Sequence, residues 1–275
     1  MLQSLYSRLS QYDVSEARSI VRLLLMDTFG LTLTDICGGA LNALTEAEQR
    51  LLEELMVRLE EGEPVQYVTG KAFFCNREFR VRPGCLIPRP ETEELCQWII
   101  TEANNARDIL DIGTGSGCIA ITLKACLPDA DITAWDISCE ALEIAQENAE
   151  INRTDVRFAI QDTLSPPDDI DRWDIIVSNP PYICQKEADT MERNVLDYEP
   201  QQALFVPDKD ALLFYNSIIR YAVKALKPDG ILFFEINPIY AHEVKAAMEA
   251  HGFNDVCIRK DMNDKMRMAR GRIQK

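Results

Sequence analysis

The chain has 275 residues, 47% of them hydrophobic, with a formal net charge of −16 and a pI near 4.6. That length suits one large or two modest domains with a real core, and such acidity disfavours broad contact with DNA or RNA, which needs Lys and Arg to neutralise phosphates. No stretch reaches the ~18 apolar residues that span a membrane, and the first residues lack the basic and apolar regions of a signal peptide.

Nine cysteines, an odd number with no C-x-x-C pair, suit free thiols in a reducing cytoplasm. The two histidines, His242 and His251, give little material for a metal site or a Ser-His-Asp triad, so no metal is expected.

Residues 1–63 read as a helical bundle. Asp13 with Glu16 resembles a capping box, Ile20, Val21, Leu24 and Leu25 supply an apolar face, and Gly30 is a stop. Thr45 with Glu48 repeats the signal ahead of a stripe of Leu51, Leu52, Leu55, Met56 and Leu59, which ends at Gly62. Residues 64–90 read as a β-hairpin linker: Val65–Gly70, Phe73-Phe74 and Phe79–Val81 look β-like, with a turn at Asn76-Arg77. Pro88 and Pro90 stiffen the segment around Arg89, and the acids after Pro90 suit the first turn of a helix.

Residues 91–275 alternate strand and helix. Strands are expected at Ile109–Ile112, Asp131–Trp135, Val156–Ile160, Asp174–Ser178 and Ile231–Ile236. Two more, Phe253–Arg259 and Met266–Arg272, follow each other closely and should be antiparallel. The helices between them imply a doubly wound α/β fold with a seven-stranded, mostly parallel sheet.

Ligands of such sheets bind at the carboxyl ends of the strands. Gly113-Thr114-Gly115-Ser116-Gly117 falls between a strand and a helix, where glycines permit a tight turn and close backbone approach. It is not the dinucleotide fingerprint, because Cys118 stands where the last glycine would fall. Asp136 ends the second strand, placed for ribose hydroxyls, and Asp162 ends the third, where an adenine edge could lie. Asn179-Pro180-Pro181-Tyr182 follows the fourth strand as a rigid turn rich in acceptors, suited to a planar –NH2 group.

Asp111 through Gly117, then Asp136, then Asn179–Tyr182 resemble the S-adenosylmethionine (SAM) dependent methyltransferases with a Rossmann-like fold that act on planar amines and amides. Ile87-Pro88-Arg89-Pro90-Glu91-Thr92-Glu93 narrows the resemblance to the release factor glutamine methyltransferases, as do Pro64–Tyr67 with Gly70, Tyr198-Glu199-Pro200 and Ala203-Leu204. The resemblance implies methylation of the side-chain amide in the Gly-Gly-Gln loop of peptide chain release factors, with the helical domain recognising the substrate protein. It implies that Gly113, Thr114, Gly115, Ser116 and Gly117 wrap the methionine part of SAM, that Asp136 holds the ribose, and that Asp162 and Thr163 lie by the adenine. Asn179, Pro180, Pro181 and Tyr182 would hold and activate the glutamine, with Asn179 also beside the cofactor, and Arg89 near the substrate.

An amide nitrogen is a weak nucleophile, so the protein must align it and accept its N–H hydrogens. The Asn179 oxygen and the Pro180 carbonyl are suited to accept, and Tyr182 could pack on the amide plane. Two departures from the family pattern stand out: Phe205-Val206-Pro207 where relatives carry a Gly-Gly pair, and Asn237 where they carry glycine. An adenine N6-methyltransferase would use the same tetrapeptide, but the acidity argues against it, and a SAM-binding module without catalysis gives the tetrapeptide no purpose.

Overall fold

The computed structural model describes residues 2–103 and 105–275. The chain divides into two compact units, one of residues 1–71, 81–83 and 192–198 and the other of residues 72–80, 84–191 and 199–275.

The first unit is helical, with α1 (Leu2–Arg8), α2 (Val14–Phe29), α3 (Leu33–Cys37), α4 (Glu46–Glu60) and α5 (Val65–Thr69). Asp13 caps α2 through Ser15 N–H and Glu16 N–H, and Gly30 closes it in the left-handed region at φ 65°. At α4 the box is complete: Thr45 and Glu48 each accept from the other's backbone N–H. Val21, Leu24 and Leu25 pack with Leu52, Leu55, Met56 and Leu59, whereas Leu51, counted in the stripe, is exposed.

Val65–Gly70 is not extended, contrary to the sequence expectation; it is α5 followed by Gly70 at φ 72°. Five residues are too few for period 2 and period 3.6 to be told apart. The helix buries Val65 and Val68 together in the helical core. Arg58 donates to the Tyr67 and Val68 carbonyls at 3.2 and 3.3 Å, which satisfies the exposed end of the helix.

The second unit opens on a hairpin of β1 (Lys71–Phe74) and β2 (Arg77–Arg80), whose turn residues Cys75 and Asn76 have φ of 48° and 59°. Next come α6 (Pro90–Glu102), β3 (Asp108–Ile112), α7 (Cys118–Cys126), β4 (Asp131–Asp136), α8 (Cys139–Asn152), β5 (Val156–Ile160), β6 (Trp173–Ser178) and β7 (Ile183–Cys184). The chain continues through α9 (Arg193–Tyr198), which returns to the first unit, then α10 (Gln201–Leu204), β8 (Phe205–Val206), α11 (Leu213–Ala225), β9 (Leu226–Glu235), α12 (Ala241–Ala250), β10 (Phe253–Lys260) and β11 (Met266–Ile273).

Among the described residues seven strands form one sheet in the order β10-β11-β9-β6-β3-β4-β5. β11 runs antiparallel to both its neighbours and the remaining pairs are parallel. Alternate residues face opposite layers. Ile109, Ile175, Val177 and Phe233 pack with α6 and α7 through Leu95, Trp98, Ile119 and Leu123. Leu110, Ile176, Leu232 and Phe234 pack with α11 and α12 through Tyr215, Ile218, Val244 and Met248. Each such side chain contributes roughly 1.5–3 kcal/mol by leaving water.

β9 begins earlier than expected, at Leu226; the Pro228-Asp229-Gly230 turn is an irregularity within it, where Trp173↔Leu226 pairing jumps to Ile175↔Ile231. Ile112 stands opposite both Trp135 and Ser178. The chain therefore leaves β3, β4 and β6 at one level, which brings Gly113, Asp136 and Asn179 to the same rim of the sheet. The rim falls where β4 and β6 diverge to opposite sides of β3, the switch point that hosts ligands in this architecture.

Candidate active site

One cavity occupies that rim. Its lining includes Gly113, Thr114, Gly115, Ser116, Asp136, Thr163, Asn179, Pro180, Pro181 and Arg89, all singled out from the sequence. Thr92, Ala203 and Phe214 complete part of the wall. Gly117, Asp162 and Tyr182 are not in the lining.

The glycine turn starts where Gly113 N–H and Thr114 N–H both donate to the Trp135 carbonyl, at 2.8 and 2.9 Å. A Cβ added at Gly115 would meet no protein atom within 4 Å, so the space beside its backbone is open toward a ligand. Gly117 is different. Its φ of 81° precedes α7, and an added Cβ would lie 3.0 Å from Ile121 and 3.1 Å from Ala145. It lets α7 and α8 approach and does not face the cavity.

Asp136 leaves β4 with its carboxylate already oriented. Oδ2 accepts from Gly115 N–H and Oδ1 from Ser138 N–H, each at 2.9 Å. Burial raises its pKa while these bonds oppose the rise. Under the turn, Asp111 is fully buried and accepts from the Thr114 hydroxyl at 2.6 Å. Burial pushes its carboxyl up to about 7. Asp162 turns back on its own loop, accepting from Leu164 N–H at 2.8 Å, while the neighbouring Thr163 lines the cavity.

Asn179 and Tyr182 are joined through two residues that the sequence reading did not select. Asn179 Nδ2 donates to Thr92 Oγ1 at 3.4 Å, and the Thr92 hydroxyl donates to Glu235 Oε2 at 2.6 Å. Tyr182 donates its hydroxyl to Glu235 Oε1 at 3.1 Å, and burial pushes this phenol's pKa up. The signal for Glu235 was available: a carboxylate follows the apolar run Ile231–Phe234 at the end of β9, and charges are seldom buried there without a partner. Glu235 is 1% exposed, and burial raises its pKa.

Arg89 pairs with the buried Glu199 at 2.5 Å, and the second Glu199 oxygen accepts from Ile87 N–H at 3.1 Å. The proline-flanked arginine is thereby held against the Glu-Pro dipeptide. Asn148, also unselected, ties α8 to β2 and to the glycine turn: it accepts from Arg80 N–H at 2.6 Å and donates to the Arg80 and Ser116 carbonyls at 3.0 and 2.9 Å.

The two departures have physical outcomes. Asn237 sits at φ −67°, a region open to any residue, so no glycine is needed. Its oxygen accepts from Ile239 N–H at 3.0 Å and its nitrogen donates to the Tyr182 carbonyl at 3.1 Å and to Glu187. Phe205-Val206 forms β8, which pairs in parallel with β7 just after the tetrapeptide.

Residues 92–199 match the family model described as Methyltransferase small domain, and residues 1–70 match the PrmC N-terminal domain. The release factor glutamine methyltransferase of Bacteroides thetaiotaomicron is 48% identical over 94% of this chain and 93% of its own length. That of Flavobacterium psychrophilum is 40% identical over 94% and 93%. A crystal structure of a methyltransferase from Pyrococcus furiosus shares the fold, with a TM-score of 0.52 at 17% identity over 73% of this chain and 91% of that one. The glycine turn, the strand-end acid and the tetrapeptide thus occur in a chain that belongs to the release factor glutamine methyltransferase family.

Proposed function

We propose that the enzyme transfers a methyl group from SAM to the side-chain amide nitrogen of the glutamine in the Gly-Gly-Gln motif of peptide chain release factors. The observation that carries this reading is the placement of Asn179-Pro180-Pro181 and the Gly113–Ser116 turn on one cavity, with Asp136 on the same rim beyond the turn.

The residues present fit SAM. The open space beside Gly115 and the strand-end carboxylate of Asp136 suit its methionine and ribose parts. When bound, SAM supplies an electrophilic methyl on a sulfonium. We assign Gly113, Thr114, Gly115 and Ser116 to its methionine part, Asp136 to the ribose and Thr163 to the adenine side. Gly117 supports this set by closing the turn onto α7. Asp162 supports it by shaping the loop that presents Thr163.

The chain's own work is to hold and orient an amide. A primary amide offers two N–H donors in one plane. Asn179 gives its nitrogen to Thr92, which leaves its oxygen free to accept, and Asn179 and Pro180 both line the cavity, so we assign the Asn179 oxygen and the Pro180 carbonyl as the two acceptors. Two acceptors on one amide nitrogen fix its plane and favour the positive charge that develops there on alkylation. The nitrogen loses its proton only after it has become acidic, so no buried general base is required. Pro180 and Pro181 restrict the backbone of the clamp, and Tyr182 braces it from behind through Glu235. Arg89, held by Glu199, lies on the wall that meets the substrate.

We assign substrate-protein recognition to the helical residues 1–63, with 64–90 as the connection to the transferase residues 91–275. We also place the enzyme in the cytoplasm: among the described residues no cysteine is in a disulfide, and no helix is long and apolar enough to cross a membrane. The net charge of −16 argues against direct nucleic-acid binding.

The test is incubation with SAM and purified release factors, read by mass spectrometry of the Gly-Gly-Gln peptide. One added methyl on that glutamine is expected. No transfer to any release factor, together with methylated adenine in a DNA or RNA control, would overturn the reading.

A further inference from the structure

Asparagine is an ambiguous clamp. Its side-chain amide has an acceptor end and a donor end of nearly the same shape. If the donor end faced the substrate, two –NH2 groups would oppose each other and the substrate amide would be turned away. Something must decide which end points into the cavity.

The chain Asn179–Thr92–Glu235 makes that decision. A hydroxyl has one proton. The Thr92 proton is given to the Glu235 carboxylate at 2.6 Å, so the Thr92 oxygen toward Asn179 can only accept. Asn179 must then offer Nδ2, as it does at 3.4 Å, and its oxygen is directed to the substrate. The other Glu235 oxygen accepts from Tyr182, so one buried carboxylate orients both ends of the tetrapeptide. Glu235 is absent from the cavity lining and acts only through these neighbours.

We propose that Thr92 and Glu235 are positioning residues that fix the flip of the Asn179 amide and so present its oxygen to the substrate glutamine, an inference that rests on the methyl-transfer reading above. Glu235→Gln reverses the polarity. A glutamine that donates to Thr92 frees the threonine proton for the Asn179 oxygen, and the amide turns over.

Thr92→Val keeps the shape and deletes the hydroxyl. It should lower kcat on a release factor by roughly 10²-fold, the cost typical of a misplaced reacting group, while Kd for S-adenosylhomocysteine stays put; Tm should fall by a few degrees, because Glu235 Oε2 loses its donor. Thr92→Ser, which keeps the hydroxyl, should recover most of the rate. Glu235→Gln should match Thr92→Val, and the double variant should lose little more, because the two act in series. A second readout needs no turnover: the Asn179 side-chain ¹⁵N–¹H signals should shift in Thr92→Val and Glu235→Gln. Unchanged Asn179 signals, a Thr92→Val rate within about threefold of wild type, a Thr92→Ser variant as slow as the valine, or additive losses would each overturn the proposal. Wild-type enzyme that transfers nothing to a release factor would instead overturn the functional reading, and the Asn179 signals would still decide the relay.

Discussion

Asp111 is a carboxyl held where water cannot reach it, and its cost depends on pH. Its folded pKa of about 7 lies above the ordinary value of 3.8, so the folded chain holds a proton that the unfolded chain releases. Its contribution to stability is therefore best at low pH and is lost as pH rises from about 4 to about 7. Thermal or urea melts should show Asp111→Asn gaining stability relative to wild type at pH 8 but not at pH 4, with a difference on the order of 4 kcal/mol. Asp136→Ala should weaken SAM binding by roughly 10- to 100-fold in calorimetry, the scale of two lost hydrogen bonds. Asn179→Ala should abolish transfer while SAM still binds, and near-wild-type turnover would refute the amide clamp. Asp136 and Asn179 were legible because each is a polar residue directly after an apolar strand. The bond between Thr92 and Glu235 was not: they are 143 positions apart, and only the sheet brings them together.

At the scale of elements, two glycines of one turn should behave differently. Gly113→Ala meets no atom within 4 Å and carries only the strain of φ 74°, about 1–2 kcal/mol. Gly117→Ala adds contacts at 3.0 and 3.1 Å between α7 and α8. It should cost clearly more in urea denaturation, by about 1–3 kcal/mol of overpacking. Thr45→Ala removes half of a complete capping box and should cost about 1 kcal/mol, read in the same way. The long amphipathic helices and the apolar strands were legible because their periods repeat over many residues. α5 was not, since Val65–Thr69 makes barely more than one turn and its helical state depends on the Arg58 side chain and the core it joins. Asn148 was hidden for a different reason: an asparagine in a polar-looking helix gives no sign that it is buried against another element.

At the scale of the molecule, the charge of −16 sets an expectation for partners. The protein should not be retained on duplex DNA at ~0.15 M salt, where phosphate contacts by basic side chains sustain non-specific binding; retention in a filter or gel-shift assay would contradict it. The seven strands and their antiparallel final pair followed from the alternation of strand and helix, but their lateral order did not, because pairing is not written in periodicity. That order has a consequence for how the molecule is made. β11, the last strand along the chain, is an interior one, paired with β9 on one side and β10 on the other. A sheet that zipped up in chain order would put β10 where β11 belongs. Folding must therefore wait, and β10 and β11 should dock on β9 as a preformed hairpin. Until they do, β9 presents an apolar, unpaired edge, and a chain interrupted before Met266 is left as a template for aggregation.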